Sequence, residues 1–338
     1  MVWEDGATLL APLLPDARER VCPISEQTEH GKKGSGSLVF DRVDTDSRPL
    51  LRSQPIKSDQ CVYNQQFYTN QIISKETSPK KEKAVLMRYG WRARLGHIAP
   101  AILDTSGEEM RKLLPDGVLH VGLTISEPIQ TLGTEQAASA FARMVDAGKK
   151  LAAERVDVLI CGGAPVALSK GPSGDAELAE LLRRETQLPV VTANGSVVDA
   201  LRLLGARSVL AVSPFIEARN QEIRAFLEAS GFTVPATKGL GLVKNIDFAS
   251  QSPEAAFQLA RGLARDYPEA DAIYIACPRW PSVDIIAPLE ADTGKLVVAA
   301  PAAMVWGALR CLRIMDCRAG FGRLMESLRC GGPSPARD

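Results

Sequence analysis

The sequence predicts an α/β protein made of two similar halves, each with a parallel β-sheet. Two observations support this. After residue 90, short apolar runs of strand length alternate with amphipathic stretches of helical length, which is typical of βα units. The same series of motifs then occurs twice along the chain. Open α/β sheets bind ligands at the carboxyl ends of their strands, so two facing halves predict an active site in the cleft between them.

The alternation also predicts the individual elements. Eight strands are expected near residues 93–99, 118–124, 156–161, 188–193, 207–212, 232–237, 271–276 and 296–300. Helices are expected at 134–154, 175–186, 196–204, 214–229, 253–265, 282–291 and 302–312. Ser213 followed by Pro214 predicts one of these helix starts, because serine caps a first turn and proline fits the first helical position.

The chain is expected to divide into four parts. Residues 1–86 contain polar stretches such as SEQTEHGKKGSGS without sustained apolar periodicity, which predicts a mostly disordered extension. Met87 is then a candidate for the natural start, with a regulatory or targeting arm as the alternative interpretation of residues 1–86. We expect a first lobe at 87–205 plus 301–325, a second lobe at 206–300 and a flexible tail at 326–338.

The composition argues against several classes of function. Lys+Arg and Asp+Glu are equal at 40 each, so no overall charge favours nucleic acid or an anionic membrane as a partner. The seven cysteines form no CxxC pair and lie at no metal-ligand spacing from the three histidines. The odd cysteine count and the lack of an N-terminal hydrophobic segment predict reduced thiols and a cytoplasmic location. No apolar run is long enough to span a bilayer, and no nucleotide-binding glycine motif is present.

The internal repeat locates a candidate site. Its three pairs of matching segments are ARLGHIAP (93–100) with ARSVLAVSP (206–214), DVLICGGAP (157–165) with DAIYIACPR (271–279), and residues 188–205 with residues 295–313. Cys277 lies six residues after Asp271, and Gly163 lies six residues after Asp157. The repeat therefore pairs Cys277 of the second half with a glycine of the first half.

Cys277 is the candidate catalytic residue. It follows a predicted buried strand and precedes the turn PRWPS. A helix expected to start near Pro281 and Ser282, together with the guanidinium of Arg279, favours the reactive thiolate form. The alternative is a structural thiol, since free cysteine is among the most buried residue types. The pairing with Gly163 favours the catalytic interpretation.

Five motifs in a specific order extend this interpretation: GHIAP (96–100), GGAPVALSKG (162–171), SPFIEARNQEI (213–223), ACPRWPS (276–282) and GFGRLM (320–325). Residues 90–325 thereby resemble the arylmalonate decarboxylase and maleate isomerase family of the aspartate/glutamate racemase superfamily. The resemblance implies two four-stranded flavodoxin-like lobes related by pseudo-two-fold symmetry and no cofactor. It also implies that racemases and isomerases carry one cysteine on each lobe, whereas decarboxylases keep only the second. Cys277 with Gly163 is the decarboxylase-like arrangement.

A single thiol is sufficient for decarboxylation. Loss of CO2 from a malonate leaves an enediolate that needs donors around its oxygens and one proton delivered to carbon. Racemisation needs a second acid/base group on the opposite face. Cys161 would supply one only if it pointed into the cleft, and we expect it in the core.

The resemblance also implies a set of substrate-binding positions: Pro100, Leu103, Gly163, Ala164, Pro165, Ser213, Phe215, Pro278 and Arg279. Several depart from the family pattern. Ala164 and Pro165 replace hydroxyl donors, Phe215 replaces a tyrosine, Leu103 replaces a polar residue, and Pro278 has no N–H to donate. Deleting one such donor typically costs about 2.7–4 kcal/mol of transition-state stabilisation, so the decarboxylase mechanism is not expected to carry over whole.

The remaining candidates for holding a carboxylate are two backbone N–H groups, one hydroxyl and two cations. They are the N–H groups of Gly163 and Ala164, Ser213, Arg279 and Lys170. A solvated surface position is the alternative for both cations.

Four ring side chains have less specific signals. Trp280 and Trp306 are expected in the core, with a wall of an apolar pocket as the alternative. His97 and His120 lie in predicted strands among apolar neighbours and are expected to be structural, with a general-base role as the alternative.

We therefore expect a cytoplasmic enzyme that acts without a cofactor on a small carboxylic or dicarboxylic acid. The first hypothesis for its reaction is decarboxylation with protonation by Cys277. Maleate isomerisation by reversible thiolate addition is second, and racemisation is third. A catalytically silent carboxylate-binding homologue is the alternative from another class. The oligomeric state stays open, and no nucleic acid or membrane is expected as a partner.

Overall fold

The computed structural model describes residues 89–100, 103–125, 134–163, 167, 173–316 and 318–328. These residues all belong to one compact unit of the chain. The expectations for residues 1–86 and for the tail beyond residue 328 lie outside the described residues.

The described residues form two four-stranded parallel sheets with the same topology. The first has the order β2-β1-β3-β4 and consists of β1 (Ala93–Ala99), β2 (Val118–Thr124), β3 (Val158–Cys161) and β4 (Val190–Thr192). The second has the order β6-β5-β7-β8 and consists of β5 (Val209–Phe215), β6 (Thr237–Leu242), β7 (Ala272–Ile275) and β8 (Leu296–Ala299). The predicted α/β class, with two parallel-sheet lobes related by pseudo-two-fold symmetry, is confirmed.

Helices connect the strands. They are α1 (Ser106–Leu113), α2 (Thr134–Ala153), α3 (Gly174–Thr186), α4 (Ala193–Leu203), α5 (Glu217–Ala229), α6 (Asn245–Ala249), α7 (Pro253–Asp266), α8 (Ile286–Thr293), α9 (Ala300–Cys311) and α10 (Gly322–Glu326). A 3-10 turn, Val283–Ile285, precedes α8. The short helices α1, α6 and α10 escaped the sequence analysis, because a helix of one or two turns shows too little periodicity.

The sixth strand lies further along the chain than predicted. The alternating apolar residues Phe232, Val234 and Ala236 are buried, as a strand pattern requires. Thr233, however, makes only an isolated bridge to Ser208, and continuous pairing with β5 begins at Thr237. The intervening Pro235 has no N–H to contribute to the ladder.

The predicted helix start at Ser213 and Pro214 is wrong, because both residues belong to β5 and α5 begins at Glu217. The Ser213 hydroxyl still reaches this helix. It donates to Asn220 Oδ1 at 2.5 Å and accepts the Phe215 N–H at 3.0 Å. The serine thus ties the end of the strand to the helix instead of capping the first turn.

The sequence repeat is visible in equivalent hydrogen bonds. Asp157 Oδ2 accepts the backbone N–H of Arg94 at 2.7 Å in the first lobe. Asp271 Oδ2 accepts the N–H groups of Arg207 and Ser208 at 2.9 Å each in the second lobe. In each lobe the aspartate before one central strand therefore anchors the start of the strand beside it.

One continuous apolar core joins the two lobes, and a second cluster covers the outer face of the first sheet. The joint core contains side chains of both sheets. Helix α9 follows β8 of the second sheet but packs against α1 and α4 of the first lobe, so we propose that residues 301–325 belong with that lobe through α9. Helix α10, at the end of this segment, contacts α8 and β8 of the second lobe. Ile98, Leu159 and Cys161 point into the second cluster, toward α2 and α3. Among the described helices, none combines the length and the apolar character that a membrane span requires.

Candidate active site

A cavity of about 50 Å³ lies where the carboxyl ends of both sheets meet. Residues that follow β1, β3 and β4 form its first-lobe wall, and residues at the ends of β5, β7 and β8 form its second-lobe wall. Five of the expected site residues line it together with Cys277: Pro100, Gly163, Phe215, Pro278 and Arg279. The cavity thus occupies the cleft position that the repeat predicts.

Cys277 and Gly163 take equivalent positions in this wall. Each follows the end of a central strand, and each has a left-handed backbone, with φ of +80° at Cys277 and +83° at Gly163. Glycine adopts this conformation freely, whereas a residue with a Cβ atom pays about 1–3 kcal/mol of strain. Such strain is common at active sites, where it orients a side chain.

The prediction of an ionised Cys277 is not supported. The side chain is 4% exposed, and burial raises the pKa of its thiol. The Arg279 guanidinium and the N–H groups of Arg279 and Trp280 lower this pKa but do not overcome burial. The expected helix N-terminus does not act on the sulfur, because the N–H groups of Ser282 and Val283 donate to the carboxylate of Glu109 instead. The resting thiol is therefore protonated at neutral pH.

The turn after Cys277 compensates for the proline that follows it. Pro278 has no N–H to donate. The N–H groups of the next two residues, Arg279 and Trp280, face the sulfur instead and favour its anion. The Trp280 N–H also donates to the carbonyl oxygen of Cys277, with N and O 3.1 Å apart, and this hydrogen bond closes the turn.

Arg279 is a buried cation, so the alternative of a solvated surface charge is wrong. Its side chain is 5% exposed and lines the cavity. Its Nη1 has no hydrogen-bond partner, and no carboxylate forms an ion pair with it among the residues that the structure describes. The guanidinium lies over the ring of Phe248 at 5.8 Å, and Thr105 Oγ1 donates to the Arg279 carbonyl oxygen at 2.6 Å. An anionic ligand would satisfy this unpaired charge.

A cluster of two histidines and an aspartate lies on the first-lobe side. His97, which was expected to be structural with a general-base role as the alternative, lines the cavity. Its Nδ1 lies 3.2 Å from His120 Nε2 and 3.6 Å from Asp104 Oδ2. Burial lowers the pKa of His97 and lowers that of His120 to about 4. Both rings are therefore neutral at pH 7.

Several expected residues do not line the described wall of the cavity. Leu103 is 45% exposed. Ser213 is buried, and its hydroxyl donates to Asn220. Trp280 and Trp306 are buried, as expected. Ala164, Pro165 and Lys170 lie outside the described residues.

Cys161 lies in the core, as expected. It points into the cluster on the outer face of the first sheet, and burial raises its thiol pKa. Within the described wall, Cys277 therefore faces no second thiol.

Sequence analysis missed several polar residues of the wall, including Asp104, Asn194, Arg219, Glu222 and Tyr274. Tyr274 precedes Cys277 by three residues, and its place in an apolar run does not distinguish it from an ordinary strand residue. Asn194 has a detectable signal, since it is the second residue of helix α4, which begins directly after β4. Arg219 and Glu222 pair with each other on α5, with Nη1 and Oε2 2.6 Å apart. A sequence pattern cannot distinguish such a pair from a solvated helix face.

The fold and the cavity define a two-lobed α/β protein that presents one thiol, Cys277, in the described part of the cavity wall. The arylmalonate decarboxylase family model, Amdase, matches residues 108–325. The chain belongs to this family and is an enzyme of the lyase or isomerase kind.

The relatives that this chain resembles include both an isomerase and a decarboxylase. A maleate isomerase of Geobacillus stearothermophilus is 25% identical over 183 residues, which are 52% of this chain and 72% of the relative. An arylmalonate decarboxylase of Bordetella bronchiseptica is 26% identical over 184 residues, 54% of this chain and 77% of the relative.

A solved structure shares the fold. A cysteine-to-serine variant of the Nocardia farcinica maleate cis-trans isomerase, with a covalently bound succinylcysteine intermediate, superposes with a TM-score of 0.62 at 22% identity. The match covers 69% of this chain and 98% of that chain.

Proposed function

We propose that this protein is a cofactor-independent enzyme that decarboxylates a small malonate-type acid, with Cys277 as the proton donor. One observation carries the proposal: the buried guanidinium of Arg279, with an unpartnered Nη1, shares the cavity wall with the Cys277 thiol. A buried unpaired charge is costly, and a bound carboxylate would offset that cost through charge-assisted hydrogen bonds. The predicted cytoplasmic location remains part of this proposal.

The chemistry follows from these two groups. The retained carboxylate binds Arg279, and the bond to the second carboxylate breaks to release CO2. The electron pair of that bond forms an enediolate, which the guanidinium stabilises. The Cys277 S–H then gives its proton to the carbon, and the resulting thiolate recovers a proton from water. The N–H groups of Arg279 and Trp280 stabilise the thiolate in the interval.

The state of the thiol supports a proton donor. Burial raises its pKa, so the S–H form is present at neutral pH without another acid to protonate it. The aromatic side chains of Phe215, Phe226 and Tyr274 line the same cavity and suit an apolar or aryl substituent.

Maleate isomerisation is the second candidate. It needs a thiolate that adds to a double bond, and the guanidinium and two N–H groups around the sulfur favour that anion. The succinylcysteine in the Nocardia farcinica isomerase is the adduct that such an addition forms. Two-cysteine racemisation has less support, because Cys161 points away from the cavity.

A substrate screen tests the proposal. Phenylmalonate, maleate and glutamate are incubated with the wild type, Cys277→Ala and the control Cys161→Ala, while CO2 release, ultraviolet absorbance and optical rotation are followed. We expect CO2 release from phenylmalonate that falls at least about 100-fold in Cys277→Ala and persists in Cys161→Ala. Phenylmalonate should also protect Cys277 from iodoacetamide.

Each other outcome has a distinct meaning. Turnover that survives Cys277→Ala contradicts the mechanism. A change of the maleate ultraviolet spectrum to that of fumarate, without CO2 release, supports the isomerase instead. Protection without any turnover identifies a silent carboxylate-binding homologue.

A further inference from the structure

His97 presents an unpartnered nitrogen at the cavity wall. Its ring is 1% exposed and lines the cavity that Cys277 lines from the other lobe. The Nε2 atom has no hydrogen-bond partner among the described residues. A Cβ atom on Gly162, which lines the same cavity, would lie 3.2 Å from this nitrogen. A buried polar atom without a partner is rare in a folded protein and is expected where a ligand supplies the partner.

The other edge of the ring determines which nitrogen carries the proton. Asp104 Oδ2 lies 3.6 Å from Nδ1, and the second oxygen of Asp104 accepts the N–H and the hydroxyl of Ser106. A carboxylate held beside Nδ1 favours a proton on that atom and leaves a lone pair on Nε2. His120 Nε2, 3.2 Å from Nδ1, then serves as a second acceptor. Burial keeps the ring neutral, so the lone pair is available at pH 7.

The position of His97 complements that of Cys277. His97 belongs to β1 of the first lobe, whereas Cys277 follows β7 of the second lobe. The first-lobe equivalent of Cys277 is Gly163, which has no side chain to occupy the space in front of the first sheet. A substrate between the lobes would therefore have an imidazole on one side and a thiol on the other.

We propose that His97 is a second acid/base residue, which exchanges the proton at the α-carbon of the bound acid on the face opposite Cys277. This inference rests on the proposed function, because it needs a carboxylic acid bound at Arg279. The Cα–H bond breaks, the proton goes to Nε2, and the electron pair forms an enediolate beside the guanidinium. The Cys277 S–H then gives its proton to the other face of the same carbon. The product has inverted configuration. The imidazolium then releases its proton to water and the thiolate takes one up from water, which restores the imidazole and the thiol.

The consequence is an activity beyond decarboxylation. An acid that carries an α-hydrogen, such as a 2-arylpropionate, would exchange that hydrogen with solvent and interconvert its enantiomers. One thiol and one imidazole would do what the superfamily resemblance assigns to two cysteines.

Deuterium wash-in tests this activity. Each enantiomer of 2-phenylpropionate is incubated in D2O with the wild type, His97→Asn and Asp104→Asn, and loss of the α-hydrogen signal is followed by proton NMR. We expect wash-in for both enantiomers with the wild type. In His97→Asn, wash-in should fall at least about 100-fold for the enantiomer whose hydrogen faces His97, and interconversion should stop. Asp104→Asn should lower the wash-in rate of the same enantiomer selectively. A general loss of folding would lower the rates of both enantiomers alike.

The control variant is Asp146→Asn, since Asp146 is an exposed residue of α2 that pairs with Lys150, and it should match the wild type. Iodoacetamide protection of Cys277 by phenylmalonate is measured on the same samples, so that the proposed function is tested separately. Undiminished wash-in in both His97→Asn and Asp104→Asn overturns the role of His97. So does the absence of wash-in in a wild type that phenylmalonate still protects. Failure of both protection and wash-in removes the proposed function and this inference together.

Discussion

Glu109 Oε2 accepts the backbone N–H of Ser282 at 2.7 Å across the two lobes. Glu109 is buried on α1 of the first lobe, and Ser282 ends the turn that begins after Cys277 in the second lobe. The same oxygen accepts the Val283 N–H at 2.9 Å. Thr105, just before α1, donates its hydroxyl to the Arg279 carbonyl oxygen. Helix α1 therefore holds the turn that carries Arg279, and the site depends on contact between the lobes.

Replacing this carboxylate should affect both stability and turnover. We expect Glu109→Gln to lower the free energy of unfolding by about 1.5–3 kcal/mol, because the two N–H groups lose a charged acceptor and Lys112 loses its ion-pair partner. The maximal rate should also fall, since the turn loses its anchor. Urea unfolding and steady-state kinetics measure the two effects. Glu108→Gln, one residue earlier and exposed, should stay within about 0.5 kcal/mol of the wild type, and equal effects of the two variants would contradict this assignment.

The left-handed backbone at Cys277 and Gly163 gives a second expectation. Gly163→Ala should destabilise the protein by about 1–2 kcal/mol, because a Cβ atom is strained at this φ. The nearest atom to that Cβ would be Met144 Cε at 3.4 Å, an ordinary contact, so strain dominates. The control Gly262→Ala lies inside helix α7 with open space around it and should stabilise by about 0.5–1 kcal/mol.

The same reasoning applies on the second lobe. We expect Cys277→Gly to be at least as stable as Cys277→Ala, which reverses the usual preference for alanine. Chemical denaturation of the two variants checks this order. A clear advantage for alanine would mean that φ at residue 277 is not strained in solution.

Much of the fold and the centre of the site could be predicted from sequence. Strands and long helices show a clear apolar period, and the repeat compares residues at fixed spacing, so Cys277 and Gly163 could be paired without coordinates. The thiolate prediction failed because burial and the capture of nearby N–H groups by Glu109 are long-range effects. His97 and Asp104 were missed as a pair for a similar reason. Asp104 lies beyond the end of β1, so the contact between the two residues does not follow from the apolar period of the strand.

Arg279 should control binding of the acid. We expect Arg279→Gln to weaken the protection of Cys277 by phenylmalonate about 10–100-fold, because a charge-assisted hydrogen bond contributes about 1.5–3 kcal/mol. Protection in Arg279→Lys should lie between that of Arg279→Gln and that of the wild type, since an ammonium cannot bind a carboxylate through two parallel donors. Arg261, an exposed partner of Asp292, provides the control Arg261→Gln. Unchanged protection in Arg279→Gln would place the carboxylate elsewhere in the cavity.

The buried histidine pair should make the fold sensitive to acid. The folded pKa of His120 is about 4, below the unfolded value near 6.5, because burial, His97 and Arg111 outweigh Asp104 and Glu108. Between these values the unfolded chain binds more protons than the native state. The stabilising effect is therefore complete above about pH 6.5 and is lost as the pH falls toward 4.

The linkage has a measurable size. A shift of this extent corresponds to about 3 kcal/mol of unfolding free energy between pH 7 and pH 4. We expect urea unfolding at pH 7, 5.5 and 4.5 to show a shallower decline in His120→Gln than in the wild type, because the amide takes up no proton in either state. Parallel declines in the two proteins would show that His120 does not become charged on unfolding in this range. The cluster beside His97 would then differ in solution from the neutral pair that the structure describes.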